Sequence, residues 1–580
     1  MKKLIKNILM VAALVCGTMS LTSCDEIMES IFGEWDKPTP ENPTSNPEST
    51  PDGSKDLSFT ATISSIIAEN TDGTLETSWK AGEEVALVHQ DKNGDTVVDK
   101  VTISAVDATT KVATISGIIT GSPADGTEAK LIYPASAANE NGDVGADLLN
   151  VQDGTLATIS EKFDKRICED AKLKVTESNA TIDGTANLKN PLAVIKFSLK
   201  ENVDGTPALA AESFKITDIS GQPIITVNPS SGSASELYVA MAPATAQTFG
   251  FIAKKGDVNY CFSKSGVTIA TNTYYQQPLA LADMLHTPLT LQAAVAGAKV
   301  TFKACNANLN SSARDPKTIE YSTDGGANWT TGNTGDSGVE VTLANVGDKV
   351  MFRGDNSNYG TKYEGTSSGD YRTYNNISCT ADCYVYGNIM SLINKTGFAT
   401  LTELTATHTF FGLFNDNDHL LSNPAFTLEL PATTLTESCY NAMFNGCTSL
   451  VTPPALPATE LKDFCYSNLF SGCSSLTTAP ELPATTLAVS CYNLMFDGCK
   501  SLATAPALPA TELKMSCYAF MFNGCSNLKE AWVKAEYDAS SCNYMFTDCK
   551  SGGVLHTAST STAWTPGTAM PGDWTIKKDY

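Results

Sequence analysis

The residues of this 580-residue chain best suited to chemistry are its cysteines, and ten of them keep a fixed rhythm. Cys439, Cys465, Cys491 and Cys517 recur every 26 residues, and Cys542 closes a shorter step. A second column holds Cys447, Cys473, Cys499, Cys525 and Cys549. Zinc binding wants tight local pairs two to four residues apart. Here the pairs stand eight residues apart, seven in the last unit, and no histidine recurs with them, so a metal role is set aside. Disulfides are open to these thiols, because stacked equivalents would lie about 5 Å apart and export permits oxidation. Burial as small apolar groups is the preferred reading. Cys379 and Cys383 could bridge across a turn, and Cys168, Cys261 and Cys305 read as scattered core positions.

Asp91-Lys-Asn93-Gly-Asp95 resembles the opening of a calcium loop, whose oxygens would come from Asp91, Asn93, Asp95 and Asp99. Thr96 stands where such a loop needs glycine and Thr102 where it needs glutamate, so a hairpin turn carried by Asn93-Gly94 is preferred. No cofactor is expected. His89, His286, His408, His419 and His556 are isolated in sequence, and none lies in a nucleophile or metal motif. His419 belongs to a polar insertion, Asn415 to His419, that is expected to be solvated. No phosphate-cradling glycine loop appears. Carboxylate pairs are commonplace in an acidic chain, so none argues for a glycosidase. The chain is expected not to be an enzyme.

The elements that hold these residues begin with an export signal. Met1 to Lys6 is basic, Ile8 to Met19 is apolar but short for a bilayer span, and Leu21-Thr-Ser-Cys24 follows. The last four residues resemble a bacterial lipobox. That resemblance implies cleavage after residue 23, lipidation of Cys24 and firm anchoring through several acyl chains. Asp25 and Glu26 resemble the surface-export signal of gut-anaerobe lipoproteins, which implies an outer-membrane protein facing the cell exterior. The net charge of −24 disfavours nucleic acid and anionic lipid as partners. Residues 24–56 include KPTPENPTSNPESTPDGSK, which has no core-forming residue and reads as an extended tether.

From Leu57 onward short apolar runs alternate with Gly, Asn and Asp turns, the pattern of antiparallel sandwiches. The fold class is mainly β with a C-terminal α/β solenoid. Sandwiches are placed at 57–188, 189–285 and 286–386, the third immunoglobulin-like or similar, with Asp324-Gly325-Gly326 as a hairpin turn. Trp79-Lys-Ala-Gly82-Glu83-Glu-Val85, Leu131-Ile-Tyr133-Pro134, Asn190 to Phe197 and Thr273-Tyr-Tyr275 resemble motifs of fimbrillin-like (Mfa-like) proteins. Glu83 departs from the usual Asp. The resemblance covers about 57–285 and implies two transthyretin-like sandwiches of the kind used in pilus subunits, anchors and other surface lipoproteins.

The remaining residues form an array at 387–552 with a cap at 553–580. Leu430-Pro-Ala-Thr433 recurs at Leu456, Leu482 and Leu508, and Met443-Phe444 recurs as Leu469-Phe470, Met495-Phe496, Met521-Phe522 and Met545-Phe546. A fixed period of this length means stacked coils that share one core. Cys491, Leu494, Met495 and Phe496 fall at helical spacing with Gly498 to end the turn, and Pro454, Pro480 and Pro506 keep the extended stretches short or irregular. The unit resembles the BspA-like leucine-rich repeat, which implies an adhesive, host- or matrix-binding surface protein. The Tyr440, Tyr466, Tyr492 and Tyr518 column is expected to pack between units. Tyr359, Tyr363, Tyr371, Tyr374 and Glu481 are the candidate ligand contacts. The expected partners are the membrane, through the lipid, a protein or glycan ligand, and fimbrial subunits under the alternative of an anchor or tip that assembles by strand addition.

Overall fold

The computed structural model describes residues 56–65, 79–110, 112–142, 149–202, 207–306, 314–335, 337–363, 371–423, 425–558, 563–567 and 570–580. Cys24 and the tether lie outside the described residues. Among those described, no helix is long and apolar enough to cross a membrane. The chain is mainly β, arranged as several sheets.

In the first sheet, period-two alternation puts Leu57, Phe59, Ala61 and Ile63 inside and Ser58 and Thr60 outside. Their strand, Leu57–Ser65, pairs antiparallel with Ala113–Ile119 and parallel with Asn179–Ile182 and Thr185–Leu188, so the sheet closes on itself. A slip of one residue would turn all four apolar side chains to solvent. At the rim of this domain the Trp79 and Tyr133 motifs meet. The two rings pack edge to face with centroids 5.1 Å apart. Tyr133 Oη donates to Glu83 Oε2 at 2.9 Å, so the longer glutamate reaches the hydroxyl. Arg166 lies against both rings, 4.6 Å from the Trp79 centroid and 5.1 Å from that of Tyr133. Its Nε and Nη2 donate to the two carboxylate oxygens of Asp164 at 2.8 and 2.5 Å. That fork and the two aromatic faces offset part of the cost of burying the guanidinium, whose Nη1 has no hydrogen-bond partner.

The second sheet is also eight-stranded, and its edge strand, Val151–Gln152, precedes the rest in sequence. Gln152 exchanges side-chain hydrogen bonds with the Ala240 backbone at 2.9 Å in both directions. Ile159 and Phe163 pack on Leu192, Val194 and Tyr274. Residues 151–163 therefore belong to the second sheet's packing although they lie well before residue 189.

The third region holds two sheets, and its core does not stop at the array. One apolar cluster runs from Leu289 through Phe302, Phe352 and Tyr359 into Phe410, Phe444, Phe496 and Trp574. Strand Cys383–Asn388 also pairs in parallel with Leu420–Ser422 and Leu428–Glu429 from the first coil. The third region thus covers one end of the stacked coils.

The coils correct one expectation. The residues read at helical spacing form no helix. Every fourth residue of this stretch has positive φ: Ser438, Ala442 and Gly446 in one coil, Ser490, Leu494 and Gly498 two coils on. A right-handed helix cannot pass through such positions. Each coil instead makes successive tight turns, as in Met443 N–H to Tyr440 O at 3.2 Å and Cys447 N–H to Phe444 O at 3.1 Å. The intervening residues donate to the next coil: Tyr440 to Cys465 O, Ala442 to Ser467 O, Phe444 to Leu469 O and Gly446 to Ser471 O, at 2.8–3.0 Å. Alternate N–H groups from Tyr440 to Cys447 therefore hold the stack and the turn, so each backbone donor of those residues is used. The proline-bearing stretches show little ladder. Glu460 and Thr486 form an isolated bridge, and Thr504–Leu508 pairs with Glu530–Val533 only through a register shift that spans Pro506.

Candidate binding face

The turn stretches sort their residues into an inner and an outer set. Inside, the tyrosine column is fully buried, with successive centroids from Tyr440 to Tyr518 5.8, 5.9 and 6.1 Å apart. Phe410, Tyr359 and Phe302 continue the stack into the third region. Beside it Phe414, Phe444, Phe470, Phe496, Phe522 and Phe546 stack at 5.5–5.7 Å, and Trp574 lies 5.2 Å from Phe546. Trp564 Nε1 donates to Ala535 O at 2.9 Å and Trp574 Nε1 to Lys550 O at 2.7 Å.

The cysteine columns lie in this interior as free thiols. In the second column each sulfhydryl donates to a phenylalanine carbonyl of the preceding coil: Cys473 to Phe444, Cys499 to Phe470 and Cys525 to Phe496, at 3.0–3.1 Å. The Phe444 carbonyl already accepts from Cys447 N–H, so the thiol uses its second lone pair. Burial pushes the Cys439 and Cys491 thiols up to about 12, and Cys473 and Cys499 well above their usual value. Such thiols are unreactive at neutral pH. Cys379 and Cys383 are both buried and in mutual thiol contact. The Cys383 sulfhydryl and Asn417 Nδ2 lower the pKa of Cys379, and the same contact with burial raises that of Cys383.

The other sequence candidates fall as follows. Asp91 accepts from Asn93 N–H at 2.7 Å and Asp95 N–H at 2.9 Å, the bonding of a turn. Asp99 is buried with His89 Nε2 at 2.9 Å and accepts from Thr120 N–H and Oγ1. Among the described residues no cluster of three or more His, Cys, Asp or Glu could hold a metal ion. His89 is not alone, nor are His286, beside Asp283, His419, 2.8 Å from Asp382, and His556, beside Asp579. The partners of His419 and His556 are 37 and 23 residues away, so local spacing could not reveal those pairs, whereas Asp283 stands three residues before His286. Tyr359, expected at the surface, is wholly buried, and its hydroxyl donates to Leu392 O at 3.0 Å. Tyr374 packs edge to face on Phe411 at 5.9 Å. Tyr363 and Tyr371 are register partners in a strand pair, and their side chains lie outside the described residues. Glu481 is exposed on an extended stretch.

A surface that the sequence reading missed lies at the outer corners of the turns. The middle left-handed position reads Gly412, Ala442, Asn468, Leu494, Phe520 and Tyr544 along the stack. Gly and Asn are at ease in that conformation. Bulky residues are strained there, at a cost of order 1–3 kcal/mol each. Yet the column ends in Leu494, Phe520 and Tyr544, with the last two rings stacked 5.0 Å apart. Tyr544 is 58% exposed and nearby in the repeat Met515 is 62% exposed. The signal was present in the repeats, where this column changes type while the Met443 and Phe444 columns that follow it hold.

No family model and no curated protein matches the chain. Solved structures match parts of it. A fimbrial protein from Bacteroides ovatus ATCC 8483 is 12% identical over 38% of this chain and 48% of its own length, with a TM-score of 0.24. The match thus spans about half of that protein. A fimbrial assembly protein from Parabacteroides distasonis ATCC 8503 is 11% identical over 39% of this chain and 90% of its own, with a TM-score of 0.24. A leucine-rich repeat protein from Bacteroides thetaiotaomicron VPI-5482 is 11% identical over 40% of this chain and 27% of its own, with a TM-score of 0.13.

Proposed function

We propose that this chain is a non-enzymatic adhesin-like lipoprotein of the outer membrane, anchored through Cys24 and facing the cell exterior. On this reading the β-domains form a fimbrillin-like stalk. The array, a BspA-like leucine-rich repeat variant, contacts a host protein, matrix or glycan. One observation carries the reading: large side chains stand at left-handed corners whose backbone disfavours them, half-buried at Leu494 and Phe520 and exposed at Tyr544. Asn or Gly would be less strained there, so Leu494, Phe520 and Tyr544 are read as contact residues.

The test separates folding from binding. Asn tolerates the left-handed conformation, so a Phe520→Asn/Tyr544→Asn double variant should melt no lower than the parent. It should lose at least tenfold in retention on a panel of immobilised matrix proteins and mucin glycans. Equal retention by parent and variant would sink the reading. The full chain is the right reagent, because a cut at residue 387 would open the shared core.

The alternative, a fimbrial anchor or tip subunit, draws on the strand Leu57–Ser65. It closes the first sheet and fills its core with four side chains, so its exchange for a strand from another subunit would be β-augmentation. Ladders on a non-boiled gel would favour this reading.

A further inference from the structure

The second sheet has a split seam. Strands Val258–Ile269 and Tyr274–Asp283 pair at only two positions, Tyr260 with Asp283 and Cys261 with Ala282. On its other side Tyr274–Asp283 pairs with Ala193–Glu201 along eight residues. Beyond Phe262 the seam opens into a cavity of about 430 Å³, walled by Ile195, Phe197, Met241, Phe251, Ile269 and Leu279. Native cores hold few voids larger than a water molecule, and this volume falls in the range of small-molecule sites.

A second cavity, about 460 Å³, lies at the joint with the third region and shares Phe262, Lys264 and Ala280 with the first. The joint is held in place by Gln292 Nε2, which donates to Ser263 Oγ at 3.1 Å and Gly347 O at 3.0 Å. Lys349 lines this cavity, with Nζ 5.7 Å from the Phe262 ring centroid. Among the described residues it has no ion-pair partner, and burial and then Lys264 pull its pKa down. The cavity's two aspartates are engaged elsewhere. Asp324 accepts from Ser322 and Asn328, and Asp348 from Asn345. Neither Lys264 nor Lys349 forms an ion pair with these carboxylates among the described residues, so an anion that brings its own apolar body can pair with both ammonium groups at the mouth of the apolar chamber.

We propose that the two cavities form one site for an amphipathic carboxylate, with its hydrocarbon in the seam and its head between Lys264 and Lys349. The site lies apart from the left-handed corners of the array, and only Phe426 of the first coil reaches its lining. Calorimetric titration of the full chain with decanoate should show one saturable site, with decanoate at least tenfold tighter than the neutral 1-decanol. Lys264→Gln/Lys349→Gln should erase that preference and leave decanol binding within twofold. Ala280→Trp, at an exposed position on the shared mouth, should block both ligands. The single Lys264→Gln change, at an exposed position, should already weaken decanoate several-fold with an unchanged melting temperature. Absence of saturable decanoate binding would overturn the proposal. So would a preference that survives loss of both lysines, or undiminished binding with Ala280→Trp.

Discussion

The first sheet and the coil array both bury aromatic and aliphatic side chains completely, yet they specify their cores differently. In the sheet, Leu57–Ser65 finds partners roughly 60 and 120 residues away, and every strand is needed before the sheet closes. In the array each contact recurs one unit on. Tyr440 stacks on Tyr466 as Tyr466 does on Tyr492, and the same alternate N–H groups reach the next coil each time. The sheet is a single cooperative unit, whereas the array is close to a one-dimensional stack of nearest-neighbour interfaces. Strain is tolerated differently too. A weak coil is held by two neighbours, so the array can place Leu494 and Phe520 in left-handed turns without losing its fold.

Phe496→Ala should break this contrast most sharply. It removes a fully buried ring from the middle of its column and should cost about 3–5 kcal/mol. Hydrogen exchange by mass spectrometry should show the loss confined to coils flanking residue 496, with peptides of the first sheet unchanged. A uniform loss across the chain would mean that the array and the sheet unfold as one, against the one-dimensional picture.

Gly472→Val should have the next largest effect, about 1–3 kcal/mol in a urea titration. Gly472 has φ +75°, and a Cβ there would stand 3.4 Å from the Gly446 backbone. The same change at Gly126 of the first sheet meets no neighbour within 4 Å, so only its φ of +80° opposes it. The array variant should be the worse of the two, since a Cβ at Gly472 already touches the neighbouring coil and the valine methyls beyond it must be fitted there as well as the torsional cost met. Equal costs would mean that the glycine column serves torsion alone.

Much of this organisation was legible because it is written locally. The period of 26 announced the stack, and proline placement announced the broken ladder. The Trp79 and Tyr133 motifs were visible as separate motifs, but Arg166, which binds them together, was not, because nothing in its neighbourhood marks a buried guanidinium. The helical reading failed for a related reason. Spacing of three and four residues is shared by a helix and by a chain of tight turns, and only φ at Ser490 and Leu494 tells them apart. The candidate contacts suffered from treating tyrosine as a surface residue: Tyr359 is the first tyrosine of a stack that continues through the coils.

The smallest effect should come from Tyr466→Phe, and its sign is informative. The Tyr440, Tyr466 and Tyr518 hydroxyls are buried with no hydrogen-bond partner. Burial raises the pKa of Tyr466 well above its usual value, so the group is a neutral phenol at any working pH. A buried hydroxyl without a partner costs about 1–3 kcal/mol, and removing it leaves the ring stack intact. Tyr466→Phe should therefore hold or raise the urea midpoint, worth up to about 1 kcal/mol. Phe410 already takes this place at the start of the column, stacked 5.6 Å from Tyr440. A fall of more than about 1 kcal/mol would mean that an internal water satisfies the hydroxyl. The array interior would then carry a wet file beside its dry phenylalanine column, unlike the core of the first sheet.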